Sequence, residues 1–406
     1  MKKKKKRKKW MKFRHRVVRT FLGCFIGPYT KLKYGVKIDK FKEEGKRPYL
    51  ILYNHQTAFD QFMVGLAFRQ PVYYVASEDL FSNGFVSSVI RYLVEPIPIK
   101  KQATDVTAVM TCMRLAKEGG TIAIAPEGNR TYSGETVYIS PAIAGLAKNI
   151  KLPIALYRIE GGYGVQPRWS DKVRRGKMHT YVSRVIEPEE YADLSNEELF
   201  EIIKSELTVK EGVADAHFYS GKKAEYLERA MYVCPDCGLS VFESHGNEIT
   251  CTKCNKTITY GTDKTLTGIG FEFPFRFVSE WYAYQNQFVS TLDLAPYTDV
   301  PLYCDTAKLS EVIVYKKKQL IKETAEIKLY GNRIVIEEGS PEELVLPFDE
   351  ISAMSVLGRN KLNIYHDKKI YQLKSNPRFN ALKYVNMYHH YKNKNKEDAN
   401  EEFLGL

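Results

Sequence analysis

The sequence predicts an α/β domain, with a mostly parallel sheet flanked by helices, followed by a zinc ribbon and a β-rich C-terminal domain. Three observations carry this. Short apolar runs alternate with helical patterns through the first half, two C-x2-C pairs follow, and closely spaced strand-like segments then fill the last third. The predicted strands of the first half are 49–53, 72–76, 121–125 and 152–158, too short and too continuously apolar for amphipathic helices. Between them, residues 60–69, 85–94, 104–118 and 141–149 have helical spacing. From about Leu302, segments 311–315, 326–330, 333–337, 344–347 and 362–366 are punctuated by turn signals such as Gly331-Asn332 and Gly358-Arg359-Asn360. A helix over 377–393 closes the series, with Phe379, Leu382, Val385 and Tyr388 on one stripe.

Charge is confined to one end. The 406 residues carry a net charge of +13, but Lys2 to Lys6, Arg7, Lys8, Lys9, Lys12, Arg14, Arg16 and Arg19 place twelve positive charges in nineteen residues. Taking those twelve from the 61 basic residues leaves 49 against 48 acidic ones, a body of net +1. Disorder is excluded by 20 Phe and 28 Tyr, enough to fill cores. No run of eighteen apolar residues occurs, so no conventional membrane-spanning helix is expected. Val17, Val18, Phe21, Leu22, Phe25 and Ile26 instead recur at helical spacing behind the basic tail. Residues 1–34 are therefore expected to form a tail and an interfacial amphipathic helix on an anionic membrane surface. A buried helix behind a solvated tail is the alternative. Cys24, Cys112 and Cys304 are scattered singles, a reducing, cytosolic pattern. The expected location is peripheral, at the cytoplasmic face of the cell membrane.

Two motifs sit at strand C-termini, where α/β sheets hold ligands. Strand 49–53 runs into Asn54-His55-Gln56-Thr57-Ala58-Phe59-Asp60. His55 can take a proton from a hydroxyl while Asp60 fixes its tautomer. Strand 121–125 runs into Pro126-Glu127-Gly128-Asn129-Arg130-Thr131, where Gly128 permits a sharp turn and Arg130 offers a planar fork suited to phosphate. Either motif alone also fits an ordinary structural pair or turn.

Together and in this order the motifs resemble the glycerolipid acyltransferase superfamily, of PlsC-type 1-acylglycerol-3-phosphate acyltransferases. That family carries N-H-x4-D, a basic block, F-P-E-G-T-R-S and V-P-[IV]-x-P. Here the blocks are Asn54 to Asp60, Ile97-Pro98-Ile99-Lys100-Lys101, Ala125 to Thr131, and Leu152-Pro153-Ile154-Ala155-Leu156. The resemblance covers roughly residues 35–210. Lys101 stands for the usual Arg, Ala125 for Phe, Asn129 for Thr and Thr131 for Ser, and the fourth block lacks its second Pro. The resemblance implies transfer of a fatty acyl group from acyl-CoA or acyl-ACP to a lysophospholipid acceptor, 1-acyl-glycerol-3-phosphate, giving phosphatidic acid in phospholipid biosynthesis. It implies His55 as general base and Asp60 as its orienter, with Lys101, Glu127, Gly128, Arg130 and Thr131 holding the acceptor. Another acceptor, glycerol-3-phosphate or a different lysolipid, stays open, as does a nucleic-acid-binding or scaffold protein.

Cys234-Pro235-Asp236-Cys237 and Cys251-Thr252-Lys253-Cys254 can close a tetrahedral, structural zinc shell with no open position. The stretch between them is a predicted hairpin turning at Gly246-Asn247. Asp236, Glu243 and Glu248 offset Lys253 and Lys256, so the ribbon has no basic face and nucleic acid is not its expected partner. The expected organisation is thus 1–34, tail and amphipathic helix; 35–215, acyltransferase-like; 230–262, zinc ribbon; 263–300, aromatic-rich connector; 301–396, resembling a PH- or GRAM-like module; and 397–406, tail.

Overall fold

The computed structural model describes residues 9–99, 105–136, 138–313 and 317–394. The first unit is built on a seven-stranded sheet of order β1-β7-β6-β2-β5-β3-β4. Its strands are β1 (Val36–Ile38), β2 (Leu50–Tyr53), β3 (Val72–Ser77), β4 (Ile97–Ile99), β5 (Thr121–Ile124), β6 (Ile154–Glu160) and β7 (Met178–Ile186). Five of the six neighbouring pairs are parallel and only β6 and β7 run antiparallel, so the sheet is mixed but mostly parallel, as the sequence predicts. Every residue of β2 is buried, as expected of a central strand covered by helices on both faces.

The helices are α1 (Phe13–Tyr34), α2 (Asp60–Ala67), α3 (Phe85–Val94), α4 (Val106–Lys117), α5 (Ala142–Ile150), the single turns α6 (Gly162–Val165) and α7 (Pro188–Tyr191), and α8 (Asn196–Leu207). Local chemistry sets their ends. The Asp105 carboxylate accepts from the Thr107 and Ala108 amides to start α4, and a Ser195–Glu198 capping box starts α8. One apolar core fills the α4, α5 and α8 side of the sheet, and a second fills the α1 and α2 side.

Helix α1 is a single 22-residue helix whose apolar residues point two ways. Val18, Leu22 and Ile26 turn inward and line a cavity, while Phe13, Val17, Phe21 and Phe25 are exposed.

The cysteine-bearing segment forms β8 (Val233–Cys234), β9 (Gly238–Leu239), β10 (Phe242–His245), β11 (Glu248–Cys251), β12 (Thr257–Tyr260) and β13 (Leu266–Gly268). The β10–β11 hairpin turns at Gly246-Asn247, with Gly246 at φ 61°, a conformation glycine adopts at no steric cost. The 263–300 stretch, expected as an aromatic-rich connector, carries regular structure. It supplies β13 to this sheet and then α9 (Val278–Thr291), whose Trp281 is fully buried and donates its indole N–H to Val233 O at 2.9 Å.

The last unit is a seven-stranded antiparallel sheet of β14 (Tyr303–Glu311), β15 (Gln319–Leu329), β16 (Arg333–Ile336), β17 (Leu344–Pro347), β18 (Ile351–Leu357), β19 (Lys361–His366) and β20 (Lys369–Lys374), closed by α10 (Leu382–Lys394). Of the strand predicted at 311–315, Glu311 ends β14 and residues 314–315 lie outside the described residues; β18 and β20 flank β19, the β18–β19 turn falling on Gly358-Arg359-Asn360. Phe379, Leu382, Val385 and Tyr388 are all buried in the core.

The second and third units share one core, and the first unit joins it through two aromatic residues. Tyr132 and Trp169 of the first unit belong to the same packed cluster as the cysteine-bearing sheet and the C-terminal sheet. Tyr132 stacks on Tyr282 of α9 at 6.4 Å, and Trp169 meets Tyr260 of β12 edge-on at 5.9 Å.

Candidate active site

Both motifs lie in the loops leaving the C-terminal ends of β2 and β5, neighbours in the sheet. Asn54, fully buried, donates its amide to Ile159 O at 2.8 Å and accepts from Ile159 N at 2.7 Å, fastening the end of β2 to β6. A primary amide is suited to this because it offers a donor and an acceptor at backbone spacing. The chain then turns, and Asp60, the first residue of α2, points back into the turn. Its carboxylate is fully buried and accepts from the Gln56 amide at 2.7 Å, the Thr57 amide at 2.9 Å and the Thr57 hydroxyl at 2.6 Å. Those donors and the helix N-terminus make a buried charge tolerable. The remaining partner is His55, whose Nδ1 lies 2.7 Å from Asp60 Oδ2. With Nδ1–H donated to the carboxylate, Nε2 is left to accept a proton. The His55 ring is a quarter exposed and lines the cavity.

Glu127 ties the two motifs together, accepting from the His55 amide at 2.8 Å. Burial pushes its carboxyl up to about 8, against the His55 amide, while Asp60 and Glu211 add to the rise. A carboxyl raised from its ordinary 4.5 stabilises the fold in its protonated form. That stabilisation is complete at low pH and is lost as pH rises towards about 8. Urea midpoints measured between about pH 5 and pH 8 are therefore expected to fall in the wild type and to flatten in Glu127→Gln. The largest slope difference is roughly 1.4 kcal/mol per pH unit. An identical slope in the variant would show that Glu127 ionises as an ordinary carboxylate.

Gly128 has φ 69°, is exposed and lines the cavity with Asn129 and Arg130. Burial pushes the Arg130 guanidinium down to about 10, and the neighbouring Arg168 adds to this. Among the described residues Arg130 makes no ion pair. Arg168, which no motif singles out, is buried beneath it, donating to Arg130 O at 2.9 Å and stacking 4.3 Å over Tyr132. Thr131 does not line the cavity. Its hydroxyl accepts from the Ser133 and Gly134 amides at 3.2 and 3.0 Å and shapes the turn. Lys101 lies outside the described residues.

From His55 a cavity of about 730 Å³ runs between α1 and α3, with Leu22, Ile26, Ile90 and Leu93 among its apolar walls. The arrangement places a proton acceptor and the Arg130 guanidinium at the polar end of a long apolar slot.

The second cluster is Cys234, Cys237, Cys251 and Cys254, whose Sγ atoms all lie within 4.8 Å of one another. The Cys234 and Cys254 sulfurs are 3.8 Å apart, far beyond a disulfide bond. A tetrahedral shell with zinc–sulfur bonds of about 2.3 Å has sulfur edges of about 3.8 Å. Ser240 Oγ lies 3.1 Å from Cys251 Sγ, and the backbone amides of Cys237 and Cys254 point at Cys234 and Cys251. Such donors suit thiolates, so the donor set fits the ion.

An acyltransferase family model matches residues 35–159. A 1-acyl-sn-glycerol-3-phosphate acyltransferase of Bacillus subtilis (strain 168) is 22% identical over 169 residues, covering 41% of this chain and 81% of that relative. Among solved structures, the crystal structure of the 1-acyl-sn-glycerophosphate (LPA) acyltransferase PlsC from Thermotoga maritima aligns with a TM-score of 0.40 and 21% identity. It covers 48% of this chain and 78% of that one. The matched segment 35–159 holds both the His55–Asp60 pair and the Glu127–Arg130 turn, so the chain carries an acyltransferase domain and is an enzyme of the O-acyltransferase type.

Proposed function

We propose that the protein transfers a fatty acyl group from an acyl thioester, on coenzyme A or acyl carrier protein, to the free hydroxyl of 1-acyl-glycerol-3-phosphate, giving phosphatidic acid. The observation that carries this is the His55–Asp60 pair at the mouth of an apolar cavity whose polar end holds Arg130, which has no carboxylate partner among the described residues. The acceptor hydroxyl gives its proton to His55 Nε2 as its oxygen attacks the thioester carbonyl carbon. Asp60 stabilises the imidazolium that forms. Collapse of the tetrahedral intermediate breaks the carbon–sulfur bond, and the sulfur leaves with the proton from His55. No covalent acyl-enzyme is needed, and Cys112, buried in the core on α4, plays no chemical part. The cavity suits an acyl chain, and Arg130 with Gly128 and Lys101 suits the acceptor phosphate.

The enzyme works as a peripheral protein at an anionic membrane, on its cytoplasmic face. Support comes from the exposed Phe21 and Phe25 of α1, the twelve basic residues at its start, and the exposed Phe85 and Tyr92 of α3. The cysteine cluster holds a structural zinc ion, and the C-terminal sheet with its closing helix is a PH-like module. Phe21→Ser with Phe25→Ser is expected to weaken sedimentation with anionic liposomes by about tenfold or more. Unchanged binding would remove α1 from the contact.

The test of the reaction is an acyl-transfer assay in anionic liposomes with oleoyl-coenzyme A or acyl carrier protein thioesters and a panel of acceptors. Phosphatidic acid formed preferentially from lysophosphatidic acid is the expected product. Preference for glycerol-3-phosphate or a lysolipid without a phosphate monoester would reassign the acceptor.

A further inference from the structure

The C-terminal sheet, far from the motifs in sequence, reaches the polar end of the cavity. Val356 and Leu357 at the end of β18, with Gly358, line the cavity beside Gly128 and Arg130. Met354 and Val356 pack into the core of their own sheet, whereas Leu357, equally buried, is absent from that core and faces the cavity. Strand alternation requires that difference. Arg168 holds the two units together here. It donates to Val356 O at 3.2 Å across 188 residues of sequence, while also donating to Arg130 O and Asn129 Oδ1.

The next residue, Arg359, follows the lining residue Gly358 without itself lining the cavity. Its Nε lies 2.9 Å from Asp171, a carboxylate already taken by Arg229 at 2.6 Å, and 40% of its side chain is exposed. Among the described residues, Arg130 and Arg168 have no carboxylate partner, and Arg359 shares one. Such a surplus of guanidinium around a cavity mouth is matched by a ligand group bearing close to two negative charges.

We propose that the β18–β19 hairpin is the acceptor-side wall of the acyltransfer site and that Arg359 is a specificity-determining residue contributing to recognition of a phosphate monoester on the acceptor. This rests on the acyltransfer reading above. It makes the C-terminal unit part of the active site, where the sequence suggests only a separate PH- or GRAM-like module. A phosphate monoester gains from the third guanidinium, and an acceptor without phosphate does not.

The experiment uses the full chain, with Arg359→Gln, Arg359→Lys and Gly358→Asn. Gly358 has φ 60°, which asparagine tolerates, and an added Cβ would meet nothing nearer than Lys361 Cε at 3.9 Å. The asparagine therefore adds bulk to the wall without disturbing the hairpin. With oleoyl-coenzyme A as donor, Arg359→Gln is expected to raise the KM for lysophosphatidic acid about tenfold. The expected kcat, donor KM and thermal midpoint are those of the wild type. Arg359→Lys restores most of the loss, monoacylglycerol turnover is unchanged, and Gly358→Asn raises the acceptor KM to a similar degree. Unchanged acceptor KM in both Arg359→Gln and Gly358→Asn, with wild-type transfer still dependent on His55, overturns the inference and leaves the reaction standing. A loss shared by all acceptors, with a lowered thermal midpoint, overturns it in favour of a purely structural Arg359–Asp171 pair. Absence of His55-dependent transfer in the wild type refutes the acyltransfer reading, and the inference falls with it.

Discussion

His55→Ala is expected to lower kcat for acyl transfer by about 10²–10⁴-fold while leaving the thermal midpoint nearly unchanged. The argument is geometric. The ring contributes one hydrogen bond to Asp60 and is partly exposed to the cavity, so its removal disturbs little packing. Asp60 keeps its other donors from Gln56 and Thr57 and stays solvated by the protein. What is lost is the group proposed to take the hydroxyl proton. Asp60→Asn tests the orienting role separately. It keeps the size of the side chain, but its NH2 group cannot accept Nδ1–H, and it meets the Thr57 amide as a donor facing a donor. A comparable fall in kcat is expected, accompanied by some loss of stability because the turn itself depends on that carboxylate. The check is single-turnover transfer from oleoyl-coenzyme A in anionic liposomes, read beside thermal unfolding. Near-normal turnover in folded His55→Ala protein would end the general-base mechanism.

Much of this site is legible in the sequence because its parts are local. Asn54 to Asp60 is one turn, Glu127 to Arg130 is another, and both follow short apolar runs that become β2 and β5. The hydrophobic period gives α3 residue for residue. The remainder depends on contacts between distant segments. Arg168 follows Pro167 in a stretch with no period, and its role comes from stacking on Tyr132 and reaching Val356. Strand β7 alternates weakly and carries His179, Ser183 and Arg184, because much of one face is not buried. The 263–300 stretch shows its aromatic richness but hides α9. Phe271, Phe273 and Phe275 mask the capping glutamate Glu280, which accepts from the Arg276 amide at 2.7 Å. In α1 the same apolar spacing serves two surfaces, and spacing alone does not separate the cavity side from the exposed side.

Removal of zinc is expected to unfold more than the ribbon. Strands β10 to β13 are three or four residues long, too short to bury a core of their own. Structural zinc supplies about 10–16 kcal/mol in isolated zinc-finger peptides, so an ion on the four thiolates would be the main local source of stability here. The consequences spread because Phe242, Ile249 and Tyr260 are continuous with Trp281 of α9 and with the C-terminal sheet. Tyr282, beside Trp281, is the ring on which Tyr132, two residues after Arg130, stacks. Arg174, fully buried, is held between Trp169 and Tyr260 at 5.0 and 4.8 Å and loses that clamp if β12 loosens. Cys251→Ser is therefore expected to lower the thermal midpoint by more than about 10 °C, taking roughly 2–4 °C per kcal/mol. A strong chelator should do the same to the wild type. Before unfolding is complete, the acceptor KM should rise ahead of the donor KM, because the loosened elements support Tyr132 and Arg168 rather than the α1–α3 slot. Metal analysis should give one zinc per chain. A metal-free protein with an unchanged midpoint and an oxidisable Cys234–Cys237 pair would replace zinc with a redox dithiol and detach the ribbon from catalysis.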